Sequence, residues 1–156
     1  MNKRKHSAVV QLVALLLAVI LIVPANTNAA TVETVQPCAS YYLDSYNAYI
    51  YPAANGKIQA WFTVTGKGYL DSLGALHISI YQSADNVNWE WFVSYSHENY
   101  PHFLSYNDNY HSGYVECQGV PGKYYKAYVC IWGGSDGDGD SRYFYTSVKK
   151  AVVTPS

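Results

Sequence analysis

Charge is scarce in this chain. Asp, Glu, Lys and Arg make up 13% of its 156 residues, about half the usual share of roughly 25% for a soluble domain. The charges nearly balance, at a formal net of -1, so no basic field exists to hold nucleic acid or an anionic membrane. The Ala/Glu/Lys/Leu/Arg excess of a long coiled coil is missing. No Gly-x-Ser-x-Gly elbow, no His-Glu-x-x-His and no phosphate-binding loop occur, and Gly133, Gly134, Gly137 and Gly139 sit among aspartates that would repel phosphate. Beyond Val23 no apolar run approaches the roughly 20 residues of a spanning helix. Cysteine is limited to Cys38, Cys117 and Cys130, an odd count that allows at most one disulfide and leaves a thiol over. What is abundant is aromatic: 17 Tyr, 4 Trp and 4 Phe, within a hydrophobic fraction of 49% that argues against disorder.

The N-terminus reads as an address. Lys3-Arg4-Lys5 precede an apolar run from Ala8 to Val23, then Pro24 and small residues ending in Ala29-Ala30. A basic start, an apolar stretch of about 15 residues and a small-residue cleavage site form a secretory signal peptide, expected over 1–29. The expected product is secreted, extracellular and free of the membrane once the signal is cleaved. Losing Lys3, Arg4 and Lys5 takes the net charge from -1 to -4 and leaves every aromatic residue in place. The remaining organisation is an N-terminal extension over 30–40, one β-sandwich domain over 41–150 and a C-terminal tail over 151–156.

Within that domain no helix-length period appears, while Gly, Asn and Asp punctuate the chain every 8 to 12 residues or so, the rhythm of antiparallel sheets. Strands are expected over 46–51, 57–65, 75–82, 89–95, 110–117, 124–132 and 142–149, seven in all. Alternation sets their faces. Ile58, Ala60, Phe62 and Val64 point inward with Trp61 outward. Leu76, Ile78 and Ile80 point inward with His77, Ser79 and Tyr81 outward. Trp89 and Trp91 fall on the core side with Val93 and Tyr95. The stretch Ser96–Asn109 has no clear period and reads as an ordered loop covering part of a sheet. Gly133–Ser141 reads as a glycine-aspartate loop.

Pro121-Gly122-Lys123-Tyr124-Tyr125-Lys126-Ala127-Tyr128-Val129 resembles the turn and opening of strand F in fibronectin type III and related immunoglobulin-like sandwiches. That resemblance implies a seven-stranded antiparallel sandwich in which Tyr125 is the corner tyrosine, its hydroxyl capping a backbone group, with Ala127, Val129 and Ile131 facing the core. A wider resemblance rests on Ala48-Tyr49-Ile50-Tyr51-Pro52, Trp61-Phe62-Thr63-Val64-Thr65-Gly66 and Asp71-Ser72-Leu73-Gly74-Ala75. It continues through Tyr110-His111-Ser112-Gly113 and Tyr124–Trp132. These strings are similar to an uncharacterised family of small secreted proteins of Gram-positive anaerobes. The likeness implies export and a β-sandwich, and carries no catalytic residue across.

In a fibronectin-like order strands C, F and G are neighbours. Tyr81, Tyr124, Tyr128, Trp132, Tyr143 and Tyr145 would then share an outward face, beside His77, Ser79 and Cys130. Aromatic rings stack on the apolar faces of sugars, and tyrosine adds a hydroxyl for the sugar's hydrogen bonds. Alternation does not say whether Ser96–Asn109 folds over this face. Asp136, Asp138 and Asp140 could direct carboxylates to one calcium ion, as in positions 1, 3 and 5 of an EF-hand loop. Ser141 stands where that loop needs Gly and Ser147 where it needs Glu, so a solvated Asp-Gly hairpin is the expected account and structural calcium the alternative. The histidine spacings match no zinc signature. Glu90, Glu98, Asp108 and Glu116 could serve a hydrolase, yet no spacing brings two of them together. The reading is a secreted, monomeric, non-catalytic recognition module without a cofactor, its partner a glycan. The alternative is a secreted structural, protein-interaction or self-assembly protein; a hydrolase comes third.

Overall fold

The computed structural model describes residues 40–152. The expected signal peptide, the extension before Ser40, Cys38 and residues 153–156 lie outside the described residues. The strands are β1 (Leu43–Pro52), β2 (Lys57–Leu70), β3 (Ser72–Ser83), β4 (Glu90–Ser96), β5 (Leu104–Ser105), β6 (Asp108–Gln118), β7 (Tyr124–Ser135), β8 (Asp138–Tyr145) and β9 (Lys149–Lys150). All pairings are antiparallel, and the described residues contain no α-helix. Nine strand segments stand where seven were expected; the additional β5 and β9 span two residues each.

One sheet has the order β1-β2-β6 and the other β4-β3-β7-β8, with β5 pairing to β3 and β9 to β7. Their apolar faces share one core, the arrangement of a β-sandwich. The smaller sheet contributes Ile50, Ile58, Ala60, Phe62, Val64 and Val115; the larger contributes Leu73, Ala75, Ile78, Ile80, Tyr125, Ala127, Val129 and Ile131. Each large apolar side chain removed from water in this way contributes about 1.5–3 kcal/mol. The inward row of β7 follows a period of two, with Tyr125, Ala127, Val129 and Ile131 all fully buried, and Cys130 on the other row is buried too. The Tyr125 hydroxyl accepts the Val120 N–H at 2.8 Å and donates to Gln82 Oε1 at 3.2 Å, tying strand β7 to the turn before it.

Three expectations need correction. A bulge between Ala75 and His77 resets β3, so Leu73 and Ala75 fill the core and Leu76 stands half-buried at the irregularity. The glycine-aspartate stretch is not a loop: β7 runs on to Ser135 and β8 begins at Asp138. Only Asp136 and Gly137 turn the chain, with φ of 56° and 81°, the left-handed pair of a type I′ hairpin. Finally, the expected last strand is broken at 146–148, and its two halves, β8 and β9, both pair with β7.

The stretch 97–107 leaves β4, turns through Pro101–Phe103, and returns as β5 on the edge of β3 that β4 also uses. Phe103 is its anchor, fully buried against Phe62. Gly74 admits the approach: a β-carbon there would lie 1.9 Å from the Phe103 carbonyl oxygen. This segment therefore closes the open side of the sandwich and leaves the outer surface of β7 and β8 uncovered.

Candidate functional site

Because Tyr125 to Ile131 commit the odd positions of β7 to the core, Tyr124, Lys126, Tyr128, Cys130 and Trp132 face out. Register then sets their neighbours. Tyr128 lies opposite Tyr145 and Cys130 opposite Tyr143 on β8, while Tyr81 of β3 lies opposite Lys126. Ring centroids of Tyr128 and Tyr145 are 4.7 Å apart, of Tyr128 and Tyr143 6.0 Å, and of Tyr81 and Tyr145 6.0 Å. Four of the six expected site residues thus form one continuous cluster. The other two stand at opposite ends of the β7 row. The Tyr124 ring lies under the Lys150 ammonium at 5.1 Å. The Trp132 indole lies over Gly134 and Gly139, where any β-carbon would strike it, and donates to Ser72 Oγ at 2.8 Å.

Two tryptophans join this face against expectation. A bulge between Ile80 and Tyr81 places Trp91 opposite Tyr81 and turns Phe92 inward onto Tyr125. Trp91 is 63% exposed and Trp89 half-buried; neither is in the core. The sequence carried a trace of this. Unbroken alternation would have set Phe92 on the wet side with Glu90 and Ser94, a conflict that one extra residue resolves. Lys126 was likewise missed: its ammonium sits 4.3 Å from the Trp89 ring and 4.6 Å from the Tyr145 ring.

Polar groups run alongside the rings. Trp91 Nε1 donates to Ser94 Oγ at 2.8 Å, Ser94 Oγ bonds Ser79 Oγ at 2.8 Å, and Ser79 Oγ bonds His77 Nε2 at 2.7 Å. This chain fixes the indole while keeping its ring face in water. Desolvation, then the neighbouring Tyr81 and Tyr128, pushes the Tyr145 phenol up; hydrogen bonding to Cys130 does the same for Tyr143. Both hydroxyls therefore stay protonated and able to donate at neutral pH.

The second wet face, on the smaller sheet, also carries aromatics. Tyr49, Trp61 and Tyr114 lie opposite one another on β1, β2 and β6, with centroid separations of 6.3 and 4.3 Å and interplanar angles of 3° and 18°. Trp61 and Tyr114 cover each other's faces at 4.3 Å, while Tyr49 stands farther off at 6.3 Å, and the outer rings Tyr49 and Tyr114 are 41% and 45% exposed. The ladder supports cross-strand pairing on this face.

The calcium candidates have other partners. Asp136 sits in the turn and its N–H donates to Asp71 Oδ2 at 2.8 Å. Asp140 Oδ2 accepts from Ser40 Oγ at 2.5 Å, Tyr41 N at 2.6 Å and Tyr42 N at 3.2 Å, which holds its carboxyl below the usual range. Asp138 Oδ1 accepts the Gly139 N–H. Among the described residues no group of three His, Cys, Asp or Glu is gathered as for a metal ion. Among the described residues Cys117 and Cys130 form no disulfide, and they lie on different sheets, so they do not pair with each other. Burial pushes the Cys117 thiol up to about 11 and raises that of Cys130, which leaves little thiolate for nucleophilic attack. Glu90 is held by Gln82 and Lys123 on the larger sheet, Glu116 by Lys57 and Gln59 on the smaller.

Compared with known proteins, the chain matches no protein-family model and no curated protein.

Proposed function

We propose that this chain is a secreted, non-catalytic recognition module of the fibronectin type III and immunoglobulin type that binds glycans on the outer face of its larger sheet. The fold assignment is supported by strand order. Sheets β1-β2-β6 and β4-β3-β7-β8 follow the A-B-E and C′-C-F-G order of fibronectin type III sandwiches, and Tyr125 stands at the corner position. Export is supported by the basic, apolar and small-residue segments of the N-terminus.

One observation carries the glycan reading. Tyr81, Tyr128, Tyr143 and Tyr145 form a ring cluster beside Trp91, on a sheet surface that 97–107 leaves open; Trp91, Tyr143 and Tyr145 are 63%, 60% and 49% exposed. Successive rings of the cluster stand at 26°, 42° and 62° to one another and so present ring faces in several directions. The tyrosine hydroxyls, Ser94 and His77 stand among them for a sugar's polar rim, with buried Ser79 holding Ser94 and His77 in place.

The test is retention of the purified protein on peptidoglycan, mucin glycans and insoluble plant polysaccharides, followed by tryptophan fluorescence titration of the ligand retained. Trp91→Ala with Tyr143→Ala should weaken binding at least about tenfold, about 1.4 kcal/mol, with the fold intact. Binding unchanged in that double variant would remove the face from the proposal. Retention on none of the polymers would shift the same surface to a protein partner.

A further inference from the structure

We propose that the free edge of β6 is a self-pairing edge, through which two copies of this chain form a two-fold dimer with a continuous six-stranded sheet. In the order β1-β2-β6, strand β6 has a partner on one side only. Hydrogen bonding shows which of its residues face the open side. Gly119 N donates to the Gly56 carbonyl at 3.1 Å, and these two residues are the next opposed pair after Lys57 and Gln118. Bonded and non-bonded pairs alternate in an antiparallel ladder, so Cys117, Val115 and Gly113 bond to β2. The backbone groups of Ser112, Tyr114 and Glu116 then point to the free edge. The Tyr95 hydroxyl shows the same direction, since it reaches the Glu116 carbonyl from the other sheet at 3.2 Å. With His111 also bonded to the His102 carbonyl at 2.9 Å, the edge left open is that of Ser112 and Tyr114 and the second lone pair of the Glu116 carbonyl.

Exposed edges are normally defended by Lys, Pro or a bulge. From Tyr110 to Gln118 strand β6 pairs with β2 without a bulge, and it holds no Lys, Arg or Pro; His111–Val115 carries no acidic group. A cleft of about 590 Å³ runs beside it, lined by Tyr95, Tyr100, His102 and the β6 residues 111–116.

The second copy is the occupant that the edge itself specifies. Pairing Tyr114 with its own counterpart about a two-fold axis sets Ser112 opposite Glu116 and Tyr110 opposite Gln118, so no like charges face each other. Glu116 is already bridged by Lys57 at 2.6 Å, and its new neighbour would be a hydroxyl. On the inner side Gly113, which has no side chain, would meet the small Val115, beside the cleft. On the outer side the stack Tyr49–Trp61–Tyr114, which now ends on a Tyr114 ring 45% exposed at the sheet edge, would continue into the Tyr114 of the second copy. The dimer replaces the monomer expected from sequence. It leaves the β3, β7 and β8 faces of both copies free, and a repetitive polymer would then be held bivalently.

Sedimentation of the purified protein from micromolar to millimolar concentration should show a shift from monomer to dimer mass. Ser112→Pro places proline where the N–H serves only the free edge, and should keep the protein monomeric with a melting temperature within a few degrees of the native one. If that variant fails to fold, Tyr114→Lys sets two charges at the axis and should also give a monomer at low salt. Register is read by cysteine: Tyr114→Cys should give a disulfide-linked dimer on mild oxidation and Ser112→Cys should not, since bonded partners lie about 5.5 Å apart at Cα. A monomer throughout the range, a dimer that survives Ser112→Pro, or one lost on Tyr143→Ala overturns the proposal. None of these outcomes depends on whether the other sheet binds glycan.

Discussion

Asp85 shows how much one side chain can organise. It accepts from Val87 N, Asn88 N, Asn88 Nδ2 and Ser83 Oγ at 2.6–2.9 Å, and so closes the turn from β3 into β4. The Asn88 and Val87 amides, helped by the Asn88 and Ser83 side chains, hold its carboxyl well below the usual carboxylate range. A depressed native pKa stabilises the fold fully above the unfolded value of about 4, and the contribution falls away as pH drops below that value. Asp85→Ala should therefore lower the melting temperature at pH 6, and the gap from the native protein should narrow steadily as pH falls below about 4. A gap that is constant with pH would mean the carboxylate charge is not what the turn uses. The run Ser83–Asn88, rich in Ser, Asp and Asn between two strands, has the composition of a turn; which side chain closes it is seen only in the structure.

At the level of strands, local pattern and tertiary pairing part company at bulges. Six of the seven expected strands match long strands of the structure because alternation is a local property, and in β7 it holds from Tyr124 to Val129, after which Cys130 on the outward row is buried as well. The seventh, 142–149, is instead β8 with the separate β9. The bulges at Ala75/His77 and Ile80/Tyr81 were not legible, since an extra residue is forced by what the neighbouring strand and the core require. Two consequences follow from those slips: Leu76 leaves the core, and Trp91 enters the candidate site. Gly74 is a further example, a glycine in strand whose reason lies on another element. Gly74→Ala would drive a methyl into the Phe103 carbonyl, and on the order of 3 kcal/mol of destabilisation is expected in urea unfolding. A change under about 1 kcal/mol would show that the Pro101–Phe103 segment shifts freely, and that Phe103 does not anchor it.

Over the whole molecule the two sheets divide their aromatics between two uses. The smaller sheet stacks Tyr49, Trp61 and Tyr114 on one another, while the larger holds Tyr81, Tyr128, Tyr143 and Tyr145 at angles that present ring faces in several directions. Trp61→Ala should separate these uses. Losing the central ring of the ladder should destabilise the protein by about 1–3 kcal/mol in denaturant unfolding, with glycan affinity unchanged. Weakened binding in that variant would instead place the ligand on the smaller sheet. Sequence by itself determined the all-β class, the positions of most of the long strands, the inward row of β7 and the outward tyrosines of β7 and β8, because each follows from local alternation; the place of Tyr125 came from the resemblance to strand F of fibronectin type III sandwiches. Only the tertiary structure decided that 97–107 seals the side of the sandwich instead of the aromatic face, that Trp89 and Trp91 are wet, that Cys117 and Cys130 are apart, and that β6 ends a sheet. Those outcomes depend on contacts between residues distant in the chain, and a pattern with a period of two residues carries no information about them.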